Sequence, residues 1–505
     1  MVNTPQPGAV HASLPTLLHL LLAVAGALLL WMSSPWGVGV SPDSAEYIAA
    51  ARRLTGPADL FNLPTQWAPG YPVLLALAYL FGDDIFATTR LLQCVLLAAN
   101  IGSGIALLRH VMGRDGLLPV SGGLVLLVSA TLWQVNFYAW SEAPFLLCLQ
   151  GSALALLRHV ESGTRGTFVA AVALAAMALL FRYAGIAWVG AAALTLLLLQ
   201  AGSWQQRLRK PVLFGLVALA PFVLWLLLNQ LVRQETTNRE FVVHLVSGTD
   251  LLALLQQFAA WLGFQQGWLP FVVQTALVAM VVGKVVQGPA LPSRLRSLLV
   301  LAGVMVGGYT LFILFSKSFL DAYIPFDDRI FAPAWIFALL ALLACLLQLA
   351  PAPQTQLLAA LALMAVAGGN VLALWPGVTA ARSQGIGYLS AYMSSVSRVE
   401  EVPELARVTV YTNAPDYLRM RTDFTIDDYP RKYAPTTGLA NAAYASDAAF
   451  MEKQVREGKA VLAHFNGFEW RAYFPTLAEL NESGYVSVLA GNGVQLLALP
   501  AAVNQ

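Results

Sequence analysis

The sequence predicts an α-helical polytopic membrane protein of about eleven spans with a small C-terminal α/β domain. Two observations lead to this fold class. Of its 505 residues, 58% are hydrophobic and only 11% are charged, whereas a soluble domain has about 25% charged residues. The charged residues are concentrated after residue 376, so the preceding chain is poorer still in charge. Such a stretch can satisfy its backbone in lipid as helices.

A helix needs about 20 apolar residues to cross the hydrocarbon core of a bilayer. The predicted spans are 16–36, 85–108, 117–135, 142–158, 167–181, 183–201, 211–231, 268–287, 297–316, 330–349 and 357–376. An alternative for residues 167–201 is one long kinked helix with Arg182 in its middle. Two spans are preferred there because a lipid-exposed central arginine is costly. Together these spans define a membrane domain over residues 1–376.

Two further apolar segments are not expected to span. Residues 69–81 are too short, and they are predicted to be interfacial or re-entrant. Residues 251–264 carry apolar side chains at helical spacing and little charge, which predicts an amphipathic helix lying in the membrane interface.

The distribution of charge predicts the orientation. With the N-terminus inside, the inner loops and span ends hold mostly basic residues, namely Arg109, Arg114, Arg158, Arg165, Arg207, Arg209, Lys210, Lys284, Arg294 and Arg296, with Asp115 and Glu161 as the acids. Short basic loops stay in the cytoplasm. An odd number of spans then places residues 377–505 outside. The predicted location is a cell inner membrane.

Residues 377–505 are predicted to form a small extracytoplasmic α/β domain. The β-branched or apolar runs that predict strands are 407–412, 459–464, 485–490 and 493–499. Helical patterns cover Ser446–Gly458 and Thr476–Ser483, and Thr476 and Glu479 have capping-box spacing.

The first predicted outer loop contains an acid, Asp43, just beyond the first span, followed by Glu46 and Tyr47 in a helix-like segment. One interpretation is that Asp43 is placed where a lipid-borne substrate meets water. The other is that Asp43 or Ser44 simply caps a helix that begins near residue 44.

Charged residues also lie at the predicted outer ends of later spans: Glu142, Arg182, Lys317, Asp327, Asp328 and Arg329. An arginine near the membrane surface often pairs with an acid or with a lipid phosphate. Interhelical ion pairing and snorkelling are the alternatives. The sequence has no zinc, Walker or nucleophile-elbow motif. A net charge of +2 without a basic arm predicts no nucleic-acid partner.

In order and topology, these pieces resemble the GT-C superfamily of membrane glycosyltransferases, which includes protein O-mannosyltransferases and lipid A aminoarabinose transferases. The matching residues, in chain order, are Asp43, Glu46 and Tyr47, the Pro-Gly-Tyr-Pro run at 69–72, Arg90, Ser141 and Glu142, Arg182 and Gly185, and Asp328, Arg329 and Pro333. The resemblance covers about residues 1–376. The chain departs from the mannosyltransferase pattern in having Ser44 rather than a glutamate directly after the acid.

The resemblance implies a sugar donor on a polyprenyl phosphate, a lipid, glycan or protein acceptor at the outer face, and inversion at the anomeric carbon. Asp43 would be the general base. Glu46, Tyr47, Glu142, Arg182, Lys317, Asp328 and Arg329 would bind substrate, with Arg182, Lys317 and Arg329 facing the leaving phosphate. No resident cofactor and no metal ligands are expected, and dependence on a divalent metal stays open.

Two rival functions remain open from the sequence. A lipid or polysaccharide transporter or flippase should show repeated halves and helices broken at the bilayer midplane. A non-catalytic envelope assembly protein would display the C-terminal domain and would tolerate charge-neutral changes at Asp43.

Overall fold

A computed structural model describes residues 14–113, 118–237, 239–287, 291–396, 399, 402–491 and 493–500. Arg114 and Asp115 of the predicted inner loops lie outside these residues. The helices described up to residue 384 are α1 (Leu14–Ser33), α2 (Pro42–Arg52), α3 (Gly70–Tyr79), α4 (Ile85–Met112), α5 (Leu118–Leu127), α6 (Ala130–Phe137), α7 (Glu142–Ser162), α8 (Arg165–Phe181), α9 (Gly185–Leu199), α10 (Trp204–Arg233), α11 (Gly248–Trp261), α12 (Trp268–Gln287), α13 (Ser293–Phe319), α14 (Asp328–Leu349) and α15 (Pro353–Gln384).

Every predicted span coincides with a helix or a helix pair. Within the described residues, seven helices are long and apolar enough to cross a membrane on their own: α1, α4, α7, α10, α13, α14 and α15. The predicted span 117–135 is broken instead into α5 and α6, which meet at an angle of 47°. The remaining three predicted spans form α8, α9 and α12. The protein is therefore a multi-pass membrane protein.

The 167–201 region forms two helices, as preferred from the sequence. α8 ends at Phe181, Arg182 adopts an extended conformation, and α9 begins at Gly185. A Cβ atom on Gly185 would come within 2.9 Å of the backbone nitrogen of Leu179. Glycine therefore lets the chain turn tightly back on itself, and the turn holds Arg182 at the helix end.

Helix ends that the charge pattern assigns to the inner side do lie together. The side chain of Arg294, at the start of α13, pairs with Glu161 of α7 and donates to the His110 carbonyl of α4 at 3.1 Å. Nearby, the amine of Lys210 lies 3.1 Å from Nε2 of His159. The opposite ends of these helices lie toward the loop predicted to be outside and toward the C-terminal part. Which face is cytoplasmic remains a prediction.

The two segments that were not predicted to span form short helices. α3 has ten residues, too few to cross a bilayer. Its first residue, Gly70, packs so closely on α8 that an added Cβ would lie 2.6 Å from the carbonyl oxygen of Leu180. α11 exposes Leu251, Leu252 and Leu255 on one side and buries Leu254, which fits the predicted amphipathic helix.

The C-terminal part has helices on a mixed five-stranded sheet. Its elements are α16 (Ala391–Val396), β1 (Thr409–Thr412), α17 (Pro415–Arg421), β2 (Thr425–Asp428), α18 (Tyr444–Arg456), β3 (Ala460–Phe465), α19 (Leu477–Glu482), β4 (Val486–Gly491) and β5 (Val494–Ala498). The strand order is β2-β1-β3-β5-β4; β1 pairs in parallel with β2 and β3, and β5 pairs antiparallel with β3 and β4.

All four predicted strands are present, as β1, β3, β4 and β5, and both predicted helices are present as α18 and α19. The capping box is confirmed, since Glu479 N donates to Thr476 Oγ1 at 3.3 Å and Thr476 N donates to Glu479 Oε2 at 2.7 Å. The sequence pattern did not reveal β2 and α17.

The C-terminal part packs directly against the segment between α1 and α4. Val38, Tyr47 and Tyr71 share one buried apolar cluster with Tyr417 and Phe465. The last apolar helix, α15, runs past residue 376 to Gln384. Since one cluster joins the two parts, the C-terminal part supports the loop that carries Asp43.

Candidate active site

A cavity of about 490 Å³ lies where the segment between α1 and α4, the ends of several helices and the C-terminal part meet. Its polar wall includes Asp43, Tyr47, Ser141, Arg182 and Arg329. Its apolar wall is formed by side chains from several helices, including Phe181, Ile186, Phe222, Phe312 and Ile313. We call it the charged cavity. A single ligand in this cavity can therefore contact both polar and apolar side chains.

Glu142 is a buried carboxylate that contacts two arginines of the polar wall. Its side chain is only 1% exposed, and Oε1 lies 2.6 Å from Nη1 of Arg182 and 2.5 Å from Nε of Arg329. A buried carboxylate needs such partners, because an uncompensated charge in a low-dielectric site is strongly destabilising. Glu142 is also in the first turn of α7, where the helix dipole favours an acid. It therefore fixes both guanidinium groups at the cavity.

Arg329 reaches a second carboxylate on another helix. Its Nη2 lies 2.6 Å from Oδ2 of Asp43, whose side chain is 33% exposed. The guanidinium also lies over the ring of Trp140, with 4.2 Å between Cζ and the ring centroid. Trp140 is itself held by a hydrogen bond from its indole N–H to Ser41 Oγ at 2.7 Å and by stacking on Tyr138. Arg329 is thus fixed on several sides.

The start of α2 places Asp43 at the cavity. Ser41 is the N-cap, since its hydroxyl accepts from the backbone N–H of Ser44, and Pro42 occupies the first helical position. The alternative that Asp43 or Ser44 caps this helix is therefore wrong. Asp43 lies in the first turn with its carboxylate directed to Arg329.

Tyr47 and Ser141 extend the polar wall. Ser141 Oγ receives a hydrogen bond from Arg182 Nη1 at 3.1 Å and lies 3.4 Å from the Tyr47 hydroxyl. Burial raises the pKa of Tyr47 well above that of an ordinary tyrosine, so its hydroxyl stays protonated. Trp67 and Tyr71 contact the Tyr47 ring edge-on. Tyr47 can therefore act as a fixed hydrogen-bond donor.

The side chains of three predicted site residues bind partners outside the charged cavity. Glu46 pairs with Arg419 of the C-terminal part at 3.1 Å. Asp328 accepts from the Gln257 amide at 2.6 Å. Lys317 donates to backbone carbonyls of the 320–325 loop and pairs with Asp250 at 3.3 Å. The structure therefore brings together Asp43, Tyr47, Glu142, Arg182 and Arg329.

Several residues of the cavity were not predicted from the sequence. Ser141 matched the family motif but was given no binding role, and Trp140, which packs on Arg329, was not singled out. Both directly precede Glu142, and that proximity in sequence was the available signal. Arg239 and Asp321 also line the cavity and form an ion pair at 3.1 Å. They lie in two irregular loops with no pattern that marks them.

The charges around the cavity are nearly balanced. Asp43 and Glu142 offset Arg182 and Arg329, and Asp321 offsets Arg239. A bound anion would therefore have to compete with a carboxylate for an arginine. Among the residues that the structure describes, no group of three or more His, Cys, Asp or Glu side chains is arranged to hold a metal ion.

Neither a family model nor a curated protein sequence matches the chain, but solved structures do. ArnT from Cupriavidus metallidurans, in a structure with bound undecaprenyl phosphate, is 17% identical, covers 95% of this chain and 97% of its own, and has a TM-score of 0.59. ArnT is a GT-C glycosyltransferase. The chain has the GT-C fold.

Two other GT-C structures support the same conclusion. The arabinofuranosyltransferase AftD from Mycobacteria is 13% identical with a TM-score of 0.54; the match covers 95% of this chain but 40% of AftD. The oligosaccharyltransferase AglB from Archaeoglobus fulgidus, in complex with an inhibitory peptide and a dolichol-phosphate, is 11% identical with a TM-score of 0.51, covering 93% and 72%. The GT-C fold expected from the sequence resemblance is confirmed. At these identities the likeness establishes the fold, and any chemistry must be argued from this chain's own residues.

Proposed function

We propose that this protein is an inverting glycosyltransferase that moves a sugar from a polyprenyl-phosphate donor to an acceptor at the outer face of the membrane. The observation that carries the proposal is the charged cavity, where a carboxylate (Asp43) and two guanidiniums (Arg182 and Arg329) share one wall in a GT-C fold. The reaction needs a proton acceptor and a cationic site for a leaving phosphate, and this wall supplies both.

In the proposed reaction, the acceptor hydroxyl loses its proton to Asp43 as its oxygen bonds to the anomeric carbon. The bond from that carbon to the phosphate oxygen breaks, and the lipid phosphate leaves with the electron pair. Attack from the face opposite the leaving group inverts the anomeric configuration. A positioned base contributes about 10²–10⁴-fold in rate, and fixed cations stabilise charge that develops on the leaving oxygen.

Arg329 links the two ends of this reaction. Its guanidinium now binds Asp43. A donor phosphate would compete with Asp43 for the same N–H groups, since arginine binds carboxylate and phosphate with similar geometry. Donor binding would then leave the Asp43 carboxylate free to accept a proton. Base activation would depend on an occupied donor site, which limits unproductive hydrolysis.

The apolar wall supports a lipid-linked donor. Phe181, Phe222 and Phe312 face the same cavity as the two arginines, so a ligand with a charged head and a hydrocarbon tail meets a matching surface for each. ArnT and AglB, which share the GT-C fold, were solved with undecaprenyl phosphate and a dolichol-phosphate respectively. We assign the protein to the inner membrane, with the cavity and the C-terminal part outside the cytoplasm.

The test is incubation of the purified protein in nanodiscs with a panel of radiolabelled polyprenyl-phosphate sugars and an extract of envelope glycans, lipids and proteins, with and without EDTA. The expected result is release of polyprenyl phosphate and transfer of label with inverted configuration. The EDTA arm measures metal dependence separately. Binding of the donors without any turnover, together with movement of labelled lipid across a sealed vesicle, would overturn the proposal in favour of a flippase.

A further inference from the structure

Helix α2 connects the charged cavity with the C-terminal part. Asp43, in its first turn, contacts Arg329 in the cavity wall. Glu46, one turn further along, contacts Arg419 of α17 instead. A helix is stiff over so short a distance. A displacement of Glu46 therefore also moves Asp43.

Arg419 binds two acids from different parts of the chain. Its Nη1 lies 3.1 Å from Oε1 of Glu46, and its Nη2 lies 2.7 Å from Oδ1 of Asp428. The Glu46 side chain is 19% exposed and that of Arg419 is 25% exposed, so water screens the pair only partly. Burial raises the pKa of Glu46 and Arg419 opposes that effect. Arg431 also pairs with Asp428 and fixes the far side of the bridge.

A second arginine ties the end of α2 to the same helix. Arg52 Nη1 donates to the backbone carbonyl of Met420 at 2.6 Å, and its Nη2 lies 3.3 Å from Asp423. Between these contacts, α2 and α17 bury apolar residues in one cluster, including Ile48 and Leu418. α17 thus holds α2 along most of its length.

We propose that Arg419 is a positioning residue that holds α2 through Glu46 and so sets Asp43 at the distance from Arg329 and the acceptor that catalysis needs. The inference rests on the proposed function. It makes Glu46 a structural link to the C-terminal part rather than a contact of the sugar. A misplacement of about 1 Å in a reacting group can cost about 10²-fold in rate. An arginine suits the role because its planar fork can bind two carboxylates at once, whereas a lysine is a single point charge.

Point variants test this better than removal of the whole C-terminal part, which would uncover the apolar cluster. The variants are Glu46→Gln, Arg419→Gln, the double variant and Arg419→Lys. The double variant leaves no unpaired charge between α2 and α17. A matched control is the exposed Glu–Arg pair of α18, changed by Glu452→Gln and Arg456→Gln. For each variant we would measure kcat, KM for the donor, the unfolding midpoint and hydrogen exchange of the amides at 43–52.

We expect kcat to fall by about tenfold or more in Glu46→Gln and Arg419→Gln, with the donor KM within about twofold. The two effects should not add in the double variant, since both remove one link. Arg419→Lys should recover part of kcat, and amide protection over α2 should fall in step with kcat. The α18 control pair should leave every quantity unchanged.

Folded variants with wild-type kcat, or a fall in kcat that tracks the unfolding midpoint while α2 keeps its protection, would overturn the inference. Failure of the proposed function would show differently, since the wild-type protein would then transfer no sugar. In that case the hydrogen-exchange readout still decides whether Arg419 holds α2, because it needs no turnover.

Discussion

The guanidinium of Arg329 lies 2.6 Å from the carboxylate of Asp43, although the two residues are 286 positions apart. The contact joins the first turn of α14 to the first turn of α2. The same guanidinium also binds Glu142 in the first turn of α7. Three helix starts therefore meet at one arginine, and helix starts favour the acids that two of them contribute.

This arrangement predicts two separable roles for Arg329. Arg329→Gln should lower the free energy of unfolding by about 1–3 kcal/mol, because Glu142 loses one of its two charged partners in a buried site. It should also weaken donor binding, because a charged contact to phosphate is lost. Adding Glu142→Gln should not restore donor affinity, and it should restore stability only in part, because Arg182 then loses its carboxylate partner. Thermal unfolding and donor binding to the same nanodisc samples measure the two effects.

Arg296→Gln is the control for the Arg329→Gln variant, since Arg296 is an exposed arginine in the first turn of α13. It should change neither stability nor donor affinity. If Arg329→Gln bound donor like the wild type while remaining folded, Arg329 would serve only as an ion-pair partner of Asp43 and Glu142.

The topology gives a second prediction. Basic span ends meet at one side of the helix bundle, at Arg294, His159 and Lys210, and the charged cavity lies at the other. We expect a periplasm-active reporter fused after Gln505 to be active and a cytoplasm-only reporter at the same position to be silent. Activity of the cytoplasmic reporter would reverse the orientation and place the charged cavity inside.

Hydropathy predicted the helices well because a lipid-facing helix must be apolar over most of its length. It did not reveal the break between α5 and α6, since the apolar run continues through Ser129, where the chain bends.

The strand β2 was not predicted because its sequence lacks the apolar pattern of a strand. In the strand Thr425–Asp428 only Ile426 is buried, and its acid Asp428 pairs with Arg419 and Arg431.

Helix geometry explains which of the predicted site residues reach the charged cavity and which do not. Asp328 and Arg329 are neighbours in sequence, yet consecutive helical positions point about 100° apart. Arg329 therefore enters the charged cavity while Asp328 meets Gln257. The position of an acid relative to a span could be read from the sequence. The partner of Glu46 could not, because Arg419 is 373 positions away.

The C-terminal part provides a prediction about pH. His464 is buried in β3 against Tyr429, and burial lowers the pKa of its imidazole. The pKa of a histidine in an unfolded chain is about 6.5. Below that pH the unfolded chain binds a proton that the native imidazole resists, so stability falls as pH decreases. We expect the unfolding temperature of the protein to fall as the pH is lowered from about 7 to about 5. His464→Phe should make this dependence on pH less steep. Equal slopes for the two proteins would assign the effect to other groups.

The last prediction concerns Asp43 as the catalytic base. Asp43→Asn keeps the size of the side chain and can still accept a hydrogen bond from Arg329, but it cannot take up the acceptor proton. The helix cap is Ser41, so the change removes no cap. We therefore expect normal expression, an unfolding midpoint close to wild type, and turnover reduced at least about 10²-fold, the lower end of what a general base contributes. Asp447→Asn is the matched control, because Asp447 is an exposed acid in the first turn of α18 and shares any helix-dipole effect without reaching the cavity. Since Asp321 also lines the charged cavity, near-normal turnover in Asp43→Asn would make Asp321 the next residue to change.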